Sequence, residues 1–126
     1  MNVILIAIGG FLGAISRFAV GEWLQTNDAF PLETFVVNII GCFILGWFLA
    51  FAKREDMNNF ATLFIGTGFL GSFTTFSTFS VEAIRLVINK QLLIAFLYSF
   101  TSITVGIGFA YLGYRLGKTN VAKGAA

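Results

Sequence analysis

Four stretches of this chain carry no charged residue, and each reaches or approaches the length that crosses a bilayer: 1–16, 34–52, 57–81 and 91–114. A hydrocarbon core takes about 20 residues of helix but only about 9–11 of tilted strand. Runs of this length, without strict alternation, therefore predict helices and not barrel strands. In a chain of 126 residues they leave room for short loops and for no second domain. The composition supports the same plan, with 57% hydrophobic and 11% charged residues against about 25% charged in soluble domains. The expectation is an all-α integral membrane domain over 1–126, spanning at about 2–24, 32–52, 58–88 and 91–116. An even number of spans puts both termini on one side.

The first run reads as a retained helix, since it lacks the basic start of a signal peptide and reaches Arg17 only near its far end. With no His and a single Cys, Cys42, the chain has no intramolecular disulfide and lacks the commonest metal ligand and proton shuttle. Its net charge of +2 is spread over loops, which excludes the basic stripe of a nucleic-acid binder. No nucleophile and base are positioned together, so no enzyme chemistry is expected.

Pro31, the only proline, belongs at the first turn of helix 2, where its missing N–H costs nothing. Glu33 follows near the positive end of that helix, either as a dipole-complementing charge or as a functional one. Residues 53–56 turn the chain into helix 3, and Asn89-Lys90 makes a tight hairpin into helix 4. Trp23, Trp47, Tyr111 and Tyr114 fall near the expected helix ends as interfacial aromatics. Lys53, Arg54, Arg115, Lys118 and Lys123 on the side of the termini, against Arg85, Lys90 and Arg17, lean toward termini inside without fixing one topology.

Helices 1, 2 and 4 each carry one small or hydrogen-bonding face at four-residue spacing: Gly9, Gly13, Arg17 and Gly21; Thr34, Asn38, Cys42 and Gly46; Tyr98, Ser102, Gly106 and Ala110. Close helix packing explains such faces, but the Asn38 carboxamide near mid-span has two donors and an acceptor to satisfy. Arg17 shares its face with glycines and so looks toward protein or water, not lipid. Helix 3 differs, because residues 66–80 crowd three glycines with repeated Ser and Thr inside an apolar run. That composition predicts a break at membrane depth near 71–76, tolerated only where protein or water surrounds it. Such a break frees backbone carbonyls able to hold a hard cation. Phe76 and Phe79 lie on one face if helix resumes after Thr75, as a lipid or packing stripe or as part of a path.

The string Gly-Phe-Leu-Gly-Ser-Phe-Thr-Thr-Phe-Ser-Thr-Phe-Ser at 68–80 closely resembles the signature of the Fluc (CrcB-like) fluoride channels. Residues 9–18 (Gly-Gly-Phe-Leu-Gly-Ala-Ile-Ser-Arg-Phe) and 37–43 (Val-Asn-Ile-Ile-Gly-Cys-Phe) are similar to that family's helix 1 and helix 2 motifs. The resemblance covers nearly the whole chain in order. It implies a fluoride-selective channel of the bacterial plasma membrane that exports fluoride passively and protects against its toxicity. It also implies an antiparallel dual-topology homodimer with two pores and a structural, untransported sodium ion at its centre. Carried over by position, the backbone carbonyls of Gly71 and Thr74 would bind the sodium. Phe76 and Phe79 would be the pore phenylalanines and Asn38 the helix 2 pore amide, with Thr34 beside it. Ser102 and Tyr98 would be polar positions on helix 4, Ser77, Thr78 and Glu82 a polar track, and Arg17 a vestibule residue. Glu33 departs from the family's usual glycine after Pro-x.

The chemistry agrees with this assignment. Fluoride is small and strongly hydrated, so a selective path replaces its water with close neutral donors that do not hold it too tightly. Asn38, Ser102, Ser77 and Thr78 are such donors, and phenylalanine edges carry positive potential. Glu82 has two readings, an interfacial ion pair with Arg85 or a place on the track with Thr74 and Thr78. A proton-coupled exporter needs an exchanging carboxylate inside a span, and Glu22 sits only at a helix end. A non-transporting membrane assembly subunit is the other alternative, and it predicts no flux.

Overall fold

In a computed structural model of the chain, residues 1–124 are described, with side chains as far as residue 118. The side chain of Lys123, which entered the charge count above, lies outside the described residues. The chain is all-helical among them. Helix α1 runs Asn2–Trp23, α2 Leu32–Arg54 and α6 Leu92–Gly124. The third crossing is a composite of α3 (Asn59–Thr62), a π-helical segment (Leu63–Leu70), α4 (Gly71–Phe73) and α5 (Ser77–Ile88). These make four helices long and apolar enough to cross a membrane. The last extends beyond its expected end, so Tyr111 and Tyr114 lie within α6 and not at its terminus.

Local chemistry sets the boundaries. Pro31 stands immediately before α2, and its carbonyl accepts from Phe35 N–H at 3.1 Å. Asn58 caps α3, its side chain accepting from Ala61 N–H at 2.9 Å. The hairpin into α6 turns on Lys90 at φ 61°, with Lys90 N–H donating to Val87 and Gln91 N–H to Leu86. On the side of the termini, basic groups lie over rings: Arg54 on Phe51 at 5.7 Å, Arg115 on Tyr111 at 5.9 Å and Lys118 on Tyr114 at 4.6 Å. Each keeps a cationic head near the interface with its stem along apolar surface.

Two close helix pairings organise the bundle. The small face of α2 meets that of α6, where Gly46 faces the Ala110 backbone and Gly113 the Phe43 backbone with no room for a Cβ. Cys42 Sγ lies across from Gly106 in the same seam. Helix α1 packs on the π-helical segment through Gly9 and Gly13, which abut the backbone at Phe64 and Phe69. The glycines of the third crossing therefore lie upstream of the break and not in it. Gly68 faces Ile6, Gly9 and Gly10 of α1, and the non-helical residues are 74–76. Gly21, on the same spacing, meets nothing. The core is thin: Val37, Phe48, Leu70, Phe73 and Tyr98 are buried, while Phe11, Phe18, Phe96 and Ile107 stay exposed for lipid or a partner.

The seam geometry separates two kinds of glycine. Gly13→Ala and Gly113→Ala each push a methyl into facing backbone and should cost about 1–3 kcal/mol, lowering the melting temperature in detergent. Gly21→Ala and Gly108→Ala, with open space at the added carbon, should leave it unchanged or slightly raised.

Candidate functional site

The third crossing loses its helix at residues 74–76, and one side chain from α2 repairs the gap. The Asn38 amide nitrogen donates to the Thr75 carbonyl at 2.9 Å, and the Asn38 carbonyl oxygen accepts from the Thr75 N–H at 2.8 Å. Both backbone groups of the central break residue are thereby paired, and one Asn38 N–H is left over. Gly41, one turn along α2, makes room for the Thr74 methyl. Downstream, the Thr75 hydroxyl accepts from Thr78 N–H at 3.2 Å and so starts α5. It also lies 3.2 Å from the Thr78 hydroxyl and 3.4 Å from that of Ser77.

These substitutions have a consequence for two carbonyls. A regular helix would close the Thr75 N–H onto Gly71 and the Thr78 N–H onto Thr74. Here those donors go to Asn38 Oδ1 and Thr75 Oγ1. Gly71 and Thr74 are thus among the positions at the break whose carbonyls lose their ladder donors, and Gly71 is exposed.

A second polar knot lies along α5. Glu82 accepts from the Thr34 hydroxyl at 2.9 Å on one carboxylate oxygen and from the Tyr98 hydroxyl at 2.8 Å on the other. Tyr98 is fully buried, its ring wedged between Phe30 at 5.4 Å and Phe79 at 5.1 Å. The ion pair between Glu82 and Arg85 does not form. Both carboxylate oxygens are taken by hydroxyls from other helices, and the ion pair among the described residues is Arg54–Glu55. Two neutral donors on rigid spans hold the group better than a three-residue surface pair worth little.

Two cavities flank the break. One, of about 220 Å³, is a polar mouth whose lining includes Arg17, Thr34, Thr75, Thr78 and Glu82. The other, of about 320 Å³, is a side cleft lined by Asn38, Cys42, Thr74, Thr75, Phe76, Phe79 and Ser102 among others, with no charged residue. Thr75 belongs to both, so the pairing with Asn38 forms the partition between them. In the cleft, Phe76 is 79% exposed and its ring centroid lies 6.0 Å from that of Phe79. The Ser102 hydroxyl is buried there without a hydrogen-bond partner.

The sequence-predicted residues therefore divide. Asn38, Phe76, Phe79, Ser102 and Thr74 meet at the cleft, while Arg17, Thr34, Thr78 and Glu82 meet at the mouth. Tyr98 reaches the second group only through its hydroxyl, and Ser77 lines neither cavity. Sequence reasoning missed Thr75, whose signal was a hydroxyl three residues before Thr78, in the first turn of the resumed helix. It also left Cys42 out of the path, although it sits one turn from Asn38 and lines the cleft.

Comparison with known proteins places this geometry. Residues 4–114 match the family described as "CrcB-like protein, Camphor Resistance (CrcB)". The chain is 48% identical over 116 residues to a protein of Oceanobacillus iheyensis named "Fluoride-specific ion channel FluC", covering 91% of this chain and 90% of that one. It is 46% identical over 119 residues to "Fluoride-specific ion channel FluC 2" of Bacillus cereus, covering 93% and 98%. A second B. cereus protein, "Fluoride-specific ion channel FluC 1", is 44% identical over 123 residues, covering 95% and 90%. With the match running through every crossing and the break between them, the chain belongs to the CrcB-like family.

Proposed function

We propose that this chain forms a fluoride-selective channel of the bacterial plasma membrane, passing fluoride down its gradient without a covalent step. The observation that carries this reading is the side cleft, which meets an ion with neutral groups only. Asn38 has a spare N–H and lines it, and the partner-free Ser102 hydroxyl lies buried in its wall, a donor that an entering ion would draw out. Phe76 and Phe79 offer ring edges, whose positive potential suits a small anion while their bulk opposes larger ones. Neutral donors replace hydration water without the deep trap that a guanidinium or ammonium would create. Thr34, Thr75, Thr78 and Glu82 continue the polar lining toward the mouth at Arg17, with Ser77 beside Thr75 and the buried Tyr98 hydroxyl on Glu82 behind them.

The cleft is open to one side, and Phe76 and Gly71 stand exposed beside it. A second, antiparallel copy would close that side and exclude lipid from polar atoms, which cost several kcal/mol each when left unpaired in hydrocarbon. A sodium ion fits the same place: Gly71 and Thr74 have carbonyls released from the ladder, and hard cations take oxygen ligands. Those two carbonyls from each copy would hold it. The ion would supply positive field and tie the copies together, while this chain's residues do the rest. Asn38 orders the break, Thr75 starts the helix that carries Phe79, and Phe30 and Phe79 fix Tyr98 against Glu82.

Reconstituted in liposomes, the purified protein should release fluoride fast and chloride slowly, as read by ion-selective electrodes. Phe76→Ile and Phe79→Ile should each reduce fluoride release. Silence for both ions in the unaltered protein favours a non-transporting assembly subunit instead. Ser102 and Asn38 separate passage from folding. Ser102→Ala removes no protein hydrogen bond, so stability should stay within about 0.5 kcal/mol while fluoride release falls about tenfold, the value of one hydrogen bond to a charged group. Asn38→Ala orphans both backbone groups of Thr75 and should cost about 2–4 kcal/mol in stability as well as the flux. Rigorous replacement of sodium by a large organic cation on both sides should lower both fluoride release and melting temperature, whereas unchanged flux argues against the sodium site.

A further inference from the structure

For the route of an anion, the mouth cavity has an inverted charge balance. Its lining presents one guanidinium, Arg17, against three carboxylates, Glu22, Glu33 and Glu82. Glu82 is fixed at the inner end by Thr34 and Tyr98, and Glu22 is exposed near the end of α1. Glu33 stands half-buried in the first turn of α2, immediately before Thr34. No ion pair joins Arg17 to any of these carboxylates among the described residues, so direct contact does not quench them. The helix start favours a carboxylate at Glu33, which explains why the residue is tolerated there. It does not explain why its side chain borders the cavity.

We propose that Glu33 is an electrostatic brake on fluoride entry, a rate-setting residue for the transport reading on which this inference rests. Low-dielectric walls focus the field of a charge lining a cleft and change the local concentration of mobile ions. A single charge about 7 Å from an entering anion in water alters its local concentration about threefold. Added salt erases the effect, since the screening length falls from about 30 Å at 0.01 M to about 3 Å at 1 M. Arg17, in the same lining, opposes the brake. Glu82 cannot be neutralised without disturbing the hydroxyls that it holds, whereas Glu33 accepts no such bond from another helix among the described residues.

The test measures initial fluoride release from liposomes holding the purified protein, at constant fluoride and constant millimolar sodium, with potassium gluconate setting ionic strength from about 0.01 M to about 1 M. Glu33→Gln should release fluoride about threefold faster than the unaltered protein at the low end and equally at the high end. Glu33→Asp, which keeps the charge, should track the unaltered protein throughout. Gln25→Glu adds a charge at an exposed residue of the same lining and should slow release at low ionic strength only. A Glu33→Gln difference that persists at 1 M marks a structural effect and overturns the proposal. Equal rates at 0.01 M also overturn it. Absence of fluoride release from the unaltered protein at every ionic strength instead overturns the channel reading.

Discussion

The pairing of one carboxamide with one peptide unit is the interaction on which the rest of this structure depends. A chain that interrupts its helix inside a membrane must find partners for the peptide groups set free, because lipid offers none. Asn38 supplies both a donor and an acceptor to Thr75 in a single planar group, as a neighbouring strand would. Only Asn and Gln place a neutral donor and acceptor side by side on one planar edge, and Gln carries an extra methylene. The bidentate match fixes where α4 ends and where α5 begins. It thereby fixes the positions of Phe76 and Phe79 as well as the boundary between the polar mouth and the uncharged cleft.

Close packing elsewhere makes that exposure of polar groups affordable. Glycines bring α1 against the π-helical segment and α2 against α6 at backbone distance, so dispersion contacts and short approach hold the bundle without a large apolar core. Polar side chains are then free for other duties. Thr34, Tyr98 and Glu82 come from α2, α6 and α5 respectively, and each hydroxyl meets one carboxylate oxygen. Such a knot resists displacement of any one helix, because moving it would leave a buried polar group short of a partner.

Much of the architecture was legible in the chain because membrane thickness imposes a length on each element, and charge-free runs report that length directly. The hairpin at Asn89-Lys90, the position of Pro31 and the small faces of α2 and α6 followed from local rules that tertiary contacts do not override. The break was readable as a region and not as a position. Composition pointed to a break near 71–76, and the interruption is the Thr-Thr-Phe at 74–76, while the upstream Gly66 and Gly68 serve contact with Phe48 and α1. Composition cannot distinguish a glycine needed for proximity from one needed for flexibility. Asn38, Phe76, Phe79 and Ser102 are legible as candidates through the motifs that resemble the family's, and the structure brings all four to the cleft. Their separation from Arg17, Thr34, Thr78 and Glu82, which line the other cavity, and the capture of Glu82 by two hydroxyls in place of Arg85, depend on the relative rotation of helices. No spacing rule within one helix contains that information.

The π-helical segment Leu63–Leu70 bears on that rotation. A ladder closing over five residues turns less per residue than one closing over four, so everything after it lags behind the angular position that an uninterrupted α-helix would assign. The lag is what lets one crossing address two neighbours, with Gly68 turned toward α1 and Thr74 and Thr75 turned toward α2. The segment therefore works as a phase shifter built into the chain. Its length in residues is under a constraint that ordinary span length is not: losing or gaining one residue there would preserve the crossing of the membrane yet swing the whole cleft-lining surface out of register with its partners.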